Sequence, residues 1–506
     1  GDDSDLCRML RLLAPQFEHR LFLSATPHNG HTRCFTGLLE ILDPVRFSQT
    51  NELKPAERAR IQQVVLRRLK REINARTDPP KFCTRRPPKA LLLQMSPVET
   101  ALSTAFGAFR KQVKKLMAGG VRGHRRSGGF AVEILGKRLL SCPTSFAESW
   151  RRSKEGLTEV QAASDADVAA VERSFRQETG DDREAQKRED TAANVVGSWL
   201  KVFADDLRGE IAAIDDAVAD LGLNIAGKEL TEQDPISDAR FEAFSSLIDE
   251  LLRQNGEWRH DERLVVFTEY KTTLDYLVRR LRERYEDNRI LTLFGGMDEL
   301  ERDLVKHAFN DPAHAARLLL ATDAASEGLN LQHTARYLLH YDCPWNPSKL
   351  EQRNGRLDRH GQARDVTVHH FVSDQDQDLK FLAHIIAKAD EIREDLGSAN
   401  ELFDEAAHRR LVNGEDLEVV QQELDRHVEN ARGRAAIDAD DTAAAGAGKS
   451  DAGHDLEAIA AEVDLDPTSL RDTLEAAMAI RAGRPQLNCS EEEKSCKVVN
   501  PALAGW

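Results

Sequence analysis

Long apolar runs are what this 506-residue chain most plainly lacks. None approaches the roughly 18 consecutive residues of a membrane span, so no membrane partner is expected. Cysteine is scarce too: Cys7, Cys34, Cys83, Cys142, Cys343, Cys489 and Cys496 are scattered, odd in number and without a C-x-x-C pair. A disulfide framework or zinc site is therefore set aside, no metal ligands are assigned, and a reducing cytoplasm is the expected compartment. No basic segment followed by an apolar core opens the chain, which argues against a secretory signal. The first residue is Gly rather than Met, so the start reads as a processing or fragment boundary. Aromatics make up only 6%, while charged residues reach 31% and hydrophobic ones 41%. That balance supports real cores in a soluble, helix-rich protein, and the length suggests roughly three domains.

Positive charge is in short supply overall, with a formal net charge of −16. This argues at first against a nucleic-acid partner, but the distribution reverses the impression. Arg58 to Arg138 holds 20 Lys/Arg against Glu72, Asp78, Glu99 and Glu133, a local excess of +16 that leaves −32 for the rest. Segregation on this scale suggests a positive surface for phosphates, with acidic material elsewhere limiting indiscriminate binding. A solvated helical face is the plainer alternative.

Residues 1–50 read as helix, a short buried strand at 21–24 (LFLS), a loop and another helix. Residues 51–95 hold the basic run LRRLKREI and end on an apolar, strand-like ALLLQMS, with Pro pairs at 79–80 and 87–88 breaking any helix between them. Residues 96–235 are helical in pattern, acidic and Ala-rich after about residue 150, and read as a helical insertion. From 236 to 400 apolar strands (264–267, 290–294, 317–322, 337–342, 366–372) alternate with amphipathic helices. Such alternation means an α/β fold, a parallel sheet covered on both faces, with ligands at the carboxyl ends of its strands. The loops after 267, 294, 322 and 342 are therefore the candidates. Residues 401–506 read as an acidic helical tail with a flexible linker at 438–455. Inside it, AAAGAGKS (443–450) satisfies a loose phosphate-loop pattern. No buried strand precedes it and Ala443 stands where the stricter pattern has Gly, so it reads as a decoy.

The most informative segment is EQRNGRLDRHGQ (351–362). A helix there would point Gln352, Arg356 and Arg359 at one spot, because positions three and four apart share a face, and Gly355 would allow close approach of a neighbour. Guanidinium groups present planar, permanently charged donors suited to a transferring phosphoryl group. The alternative is a surface ion-pair helix in which Glu351 and Asp358 use up that charge.

Taken with its surroundings, this segment resembles the superfamily-two helicase-like ATPases, specifically the Swi/Snf-type DNA translocases. Gln352, Gly355, Arg356, Arg359, Gly361 and Gln362 match that family's sixth motif, QxxGRxxRxGQ. ATDAASEGLNLQ (321–332) resembles the fifth, SATPHNG (24–30) the third and VVFTEY (265–270) the fourth. LFGGMDELERDLVKHAF (293–309) is similar to the segment after the fourth motif, YDCPWNPSKLEQRNGR to the approach to the sixth, and LRRLKREI (66–73) to the basic segment closing the first lobe. The likeness covers roughly 1–95 and 236–400. It implies a C-terminal remnant of a first RecA-like lobe at 1–95 and a complete RecA-like C-terminal helicase lobe at 236–400. The third- and fifth-motif forms resemble bacterial members, the RNA-polymerase recycling ATPases and the helicase of the DISARM anti-phage system, the latter preferred on resemblance alone.

The resemblance implies roles residue by residue. Arg356 and Arg359 would reach the γ-phosphate with Gln352 beside them, and Glu327 and Gly328 would edge the nucleotide cleft. Ser24 and Thr26 would couple hydrolysis to movement. Thr268, Gly295, Gly296 and Thr322 would face a nucleic-acid backbone, and Arg67, Arg68, Lys70 and Arg71 would add positive charge to that path. The partner would be double-stranded DNA, with other defence-system subunits as further candidates. ATP and Mg²⁺ would serve the complete motor. The family's phosphate loop and Asp-Glu pair normally precede SATP, and the 23 residues before Ser24 contain neither. The expectation is thus a chain that binds no cofactor alone and does not hydrolyse ATP by itself.

Overall fold

The computed structural model of the chain describes residues 5–23, 32–51, 53–65, 70–78, 80–119, 122–177, 179–226, 230–326, 328–391, 396–429, 486–490 and 495–499. It divides into two compact units, Gly1–Gly433 and Arg434–Trp506. The first opens with α1 (Asp5–Leu13), α2 (Thr32–Leu42), α3 (Pro55–Val64) and α4 (Lys70–Ala75). The strand expected at 21–24 is not formed: Leu21 is 81% and Leu23 87% exposed, and Ser24 lies outside the described residues. A strand is stable only beside a partner, and none of the described strands runs next to this one.

The insertion region is helical throughout, from α5 (Pro97–Ala118) through α6 (Arg122–Leu139), α7 (Pro143–Leu157), α8 (Asp165–Phe175), α9 (Asp182–Leu200) and α10 (Arg208–Asp220). Its start is fixed by a capping box, in which Ser96 accepts from the Glu99 N–H and Glu99 accepts from the Ser96 N–H, with Pro97 in the first turn. Phe106, Phe109, Phe146, Trp150 and Trp199 pack in its own core. Gly156 of α7 and Gly197 of α9 bring two backbones together: a Cβ on Gly197 would lie 1.9 Å from the Ser153 carbonyl oxygen, and one on Gly156 2.0 Å from that of Asn194. That crossing packs the C-terminal part of α9 closely on α7.

Next come α11 (Ala239–Leu252), a two-residue ribbon of β2 (Arg253–Gln254) and β3 (Glu257–Trp258), and the main sheet. The sheet has β1 (Lys89–Leu92), β4 (Leu264–Thr268), β5 (Ile290–Leu293), β6 (Leu318–Thr322), β7 (Tyr337–His340) and β8 (Thr367–Val372), all parallel, in the order β1-β8-β7-β4-β6-β5. Every residue of β4 and β6 is buried. Successive side chains of a strand point to opposite faces, so strands without polar alternation must be covered twice. Leu264, Val266, Leu318 and Leu320 share one core with α11, α12 (Lys271–Arg284) and α16 (Gln377–Glu391). Val265, Phe267, Leu319 and Ala321 share the other with Phe309 of α13 (Glu299–Asn310). Further helices are α14 (Asp323–Ser326), α15 (Pro347–Asn354) and α17 (Leu396–Ala407), the last followed by a π-helical turn at His408–Val412 and a helical stretch over 417–429. The α/β reading of this region, a RecA-like parallel sheet with a helical region beside it, holds. Just before the division expected at residue 95, β1 pairs with β8 along Lys89–Leu92, and Arg85 bridges Val366, so this stretch forms an edge of the main sheet. In the second unit, β9 (Gln486–Ser490) and β10 (Ser495–Val499) form an antiparallel pair. The loose phosphate-loop pattern at 443–450 lies outside the described residues.

Candidate functional site at the carboxyl edge of the sheet

The carboxyl ends of β4, β6 and β7 are joined by a residue that the motif reading passed over. Arg353, only 1% exposed in its side chain, sends Nε to Asp323 Oδ1 at 2.6 Å and Nη2 to Asp323 Oδ2 at 2.9 Å. Its Nη1 donates to the Asp342 carbonyl at 2.8 Å, and Nη2 lies 3.3 Å from Asp342 Oδ1. Burial works against its charge, but Asp323, Asp342 and Glu269 outweigh that and hold its proton more tightly than usual. Asp342 in turn accepts from the Thr268 hydroxyl at 2.5 Å, the Glu269 N–H at 2.9 Å and the Ser141 hydroxyl at 2.9 Å. Burial alone would raise the Glu269 carboxyl. Lys349, Lys137, Arg353 and Arg138 overcome this and hold it at about 2.

Thr268 is therefore not on a free surface, because its buried hydroxyl is committed to Asp342. Thr322 is likewise buried and donates to Asp182 Oδ2 at 2.6 Å. The Gly295 N–H also donates to Asp182. Gly296, at φ +84°, sits so close to Asp181 that a Cβ would lie 2.5 Å from its Oδ1. The four residues expected to face a nucleic-acid backbone do gather at the strand ends, but Thr268, Gly295 and Thr322 are buried, the last two under the start of α9, and only Gly296 of the four is exposed. The expected helix over 347–357 stops at Asn354, with Gly355 as its cap. Gln352 thus stands exposed on α15, while Arg356 and Arg359 follow in successive turns. A Cβ on Gly355 would press at 3.2 Å on the carbonyl of Glu351, so its smallness serves its own preceding turn rather than a neighbour.

The fifth- and sixth-motif segments are knitted into one rim. The Leu331 N–H donates to the Arg356 carbonyl at 3.2 Å, and buried Gln362 donates to the Ala335 carbonyl at 2.9 Å. Arg359, exposed, donates to Asn330 Oδ1 and to the Leu329 carbonyl at 3.5 Å. Gly328 lies on the same rim at φ +72°, a backbone conformation suited to glycine, and Glu327, Ser24, Thr26, Arg67 and Arg68 fall outside the described residues. The carboxylates of the segment are taken from elsewhere: Glu351 by Arg85 at 2.9 Å and Asp358 by Lys70 at 2.6 Å. Lys70 is thus an ion-pair partner of the rim, not a spare phosphate contact. The helix α4 carries Arg71, whose side chain is not described. Much of the basic stretch behaves like Lys70: Arg110 pairs with Asp378 at 2.8 Å, Arg126 with Glu172 at 2.7 Å, and buried Arg138 with Glu189. Linear charge segregation overstated the positive surface because acidic residues far away in sequence fold against it.

Residues 242–361 match the family described as "Helicase conserved C-terminal domain". Among curated proteins, 146 residues are 38% identical to the RNA polymerase-associated protein RapA of Vibrio campbellii, covering 29% of this chain and 15% of that protein. In a separate alignment, 113 residues are 36% identical to the uncharacterized ATP-dependent helicase YqhH of Bacillus subtilis, covering 22% of this chain and 19% of that protein. The alignments thus span less than a fifth of the length of these relatives. Among solved structures, the C-terminal part of the Fun30 ATPase domain aligns with a TM-score of 0.33 at 13% identity, over 63% of this chain and 99% of that one. Residues 242–361 are accordingly similar to a helicase C-terminal domain, within a chain whose curated relatives are distant.

Proposed function

We propose that this chain supplies the second motor lobe of an ATP-dependent, DNA-stimulated translocase of the Swi/Snf type, with Arg356 and Arg359 as its arginine fingers. The observation that carries this reading is Arg359, an exposed guanidinium resting on the neutral acceptors Asn330 and Leu329. Among the described residues it has no carboxylate partner within 4 Å, because Arg85 and Lys70 engage those of its own segment. It keeps its charge for a phosphoryl oxygen. A finger of this kind is worth about 10³–10⁵ in rate. The phosphate cradle would come from a first lobe, and the exposed Met9, Leu12, Phe17, Leu21 and Leu23 are the kind of surface such a lobe would cover. ATP would close the cleft between lobes and hydrolysis would open it, ratcheting duplex through backbone contacts. Mg²⁺ would be held by the Asp-Glu pair of that first lobe.

The test is single-turnover hydrolysis at saturating ATP and DNA, with this chain combined with a phosphate-loop lobe. Arg356→Ala and Arg359→Ala should each cut the rate by at least about 10³ while changing DNA affinity little, and the Lys variants should recover little. Near-normal rates in both would reduce the segment to a structural rim. The chain by itself is expected to show no ATP turnover. A non-catalytic clamp would have no use for both arginines. A polymerase-associated role is favoured by the RapA alignment; copurification with RNA polymerase would support it, and its absence would leave the anti-phage reading, which rests on motif resemblance alone.

A further inference from the structure

The start of α9 makes a contact that packing alone does not require. Asp182 is buried, yet the groups that hold its carboxylate are neutral: the Gly295 N–H and the Thr322 hydroxyl, the latter at 2.6 Å. Its own N–H returns a bond to the Gly295 carbonyl at 3.2 Å. No lysine or arginine among the described residues lies within 4 Å of it, and burial raises its carboxyl above the usual range, against the pull of those two donors and of Lys271. A hydrophobic contact would have satisfied the helix at lower cost, since a buried carboxylate must be compensated. The fit is close as well. A Cβ on Gly295 would fall 2.4 Å from the Gly180 carbonyl oxygen, and one on Gly296 2.5 Å from Asp181 Oδ1. A backbone N–H and a hydroxyl beside two glycines form a notch for an anionic oxygen, of the kind that contacts a phosphodiester without reading bases.

From this geometry we propose that Asp182 plugs the notch formed by Gly295 and Thr322, where the translocase reading would seat a backbone phosphate of duplex DNA, so that the insertion holds the lobe shut until the start of α9 moves away. This rests on the translocase reading above, since the ligand it names is the DNA of that motor. The contact is braced from behind. Arg138 donates to Thr272 at 2.8 Å and pairs with Glu189 of α9, and Ser141 shares a hydrogen bond with Thr273 at 2.7 Å. Seating a duplex therefore means parting α9 from the start of α12 as well as vacating the notch.

The test measures binding of a non-specific 30-base-pair duplex to the whole chain by fluorescence anisotropy at fixed salt. Asp182→Ala should bind about tenfold tighter than the unmodified chain, as one charge-held competitor is removed. Thr322→Val should weaken binding in the Asp182→Ala background but hardly at all in the unmodified one, where that hydroxyl is already engaged. Equal affinity of the unmodified and Asp182→Ala chains would overturn the occlusion while leaving the translocase reading in place. No duplex binding by either would count against the translocase reading itself. Hydrogen exchange on the unmodified chain covers the case in which the variant does not fold. Added duplex should speed exchange at residues 179–186 while slowing it at Gly295 and Gly296, and slowing at both, or no change at residues 179–186, would overturn the proposal.

Discussion

Arg353 shows how much one side chain decides at the centre of the lobe. It is buried between Asp323, which follows β6, and Asp342, which follows β7, so it ties the fifth-motif loop to the approach of the sixth. Removing one partner of a buried charge network leaves the others uncompensated, which typically costs about 3–5 kcal/mol. Arg353→Ala should lower the unfolding free energy by that amount in urea titrations. Arg353→Lys should recover little, because an ammonium cannot reach two carboxylates in a planar fork. A loss below about 1 kcal/mol would mean the network is dispensable. Arg359, six residues on, belongs to the other class: exposed and held by neutral groups, it should cost little stability when replaced and reveal itself only in turnover.

At the scale of the element, β8 carries a liability. His369 and His370 are buried in it, and burial, with Lys89 near the first and His369 near the second, holds each down at about 4. In the unfolded chain both titrate near 6.5. Between these values the unfolded state binds protons that the native state refuses, so stability falls as pH drops from about 6.5 towards 4 and rises in the other direction. The slope should approach about 1.4 kcal/mol per pH unit for each histidine. Urea midpoints at pH 7 and pH 5 would measure it, and His370→Leu should flatten the dependence. An equal slope in that variant would assign the acid sensitivity elsewhere. The neighbouring strand β1 shows a limit of local reading: ALLL was legible as a strand, but nothing local states that its partner would be β8, some 280 residues later.

For the molecule as a whole, charge is where sequence and structure part most clearly. Each phosphate neutralised on duplex DNA contributes a log–log salt slope of about −0.9. Lys70 is already paired with Asp358 at 2.6 Å, so Lys70→Ala should leave the salt slope of duplex binding unchanged. Replacing Arg67, Arg68, Lys70 and Arg71 together should flatten it without altering sequence preference. A flattening by Lys70→Ala alone would show that the ion pair opens on DNA, and no flattening by the fourfold change would place the DNA path away from this segment.

The α/β fold of residues 236–400 was readable in the chain itself. Continuous apolar runs separated by amphipathic stretches can be satisfied only by a doubly covered parallel sheet, and the order of short motifs placed its carboxyl edge. Helical periodicity likewise marked 96–235, because that signal is local. What the tertiary structure alone decided is which of those residues are spoken for. Thr268, Thr322, Gly295 and Lys70 carry the side chains or backbone that a phosphate site needs, yet they are engaged by Asp342, Asp182 and Asp358, the first three from residues 74 to 140 positions away and Lys70 from 288. Hydrogen bonds and ion pairs act over a few ångströms of space and are blind to chain separation. A sequence therefore states which groups are able to bind, and only the fold states which of them are already bound.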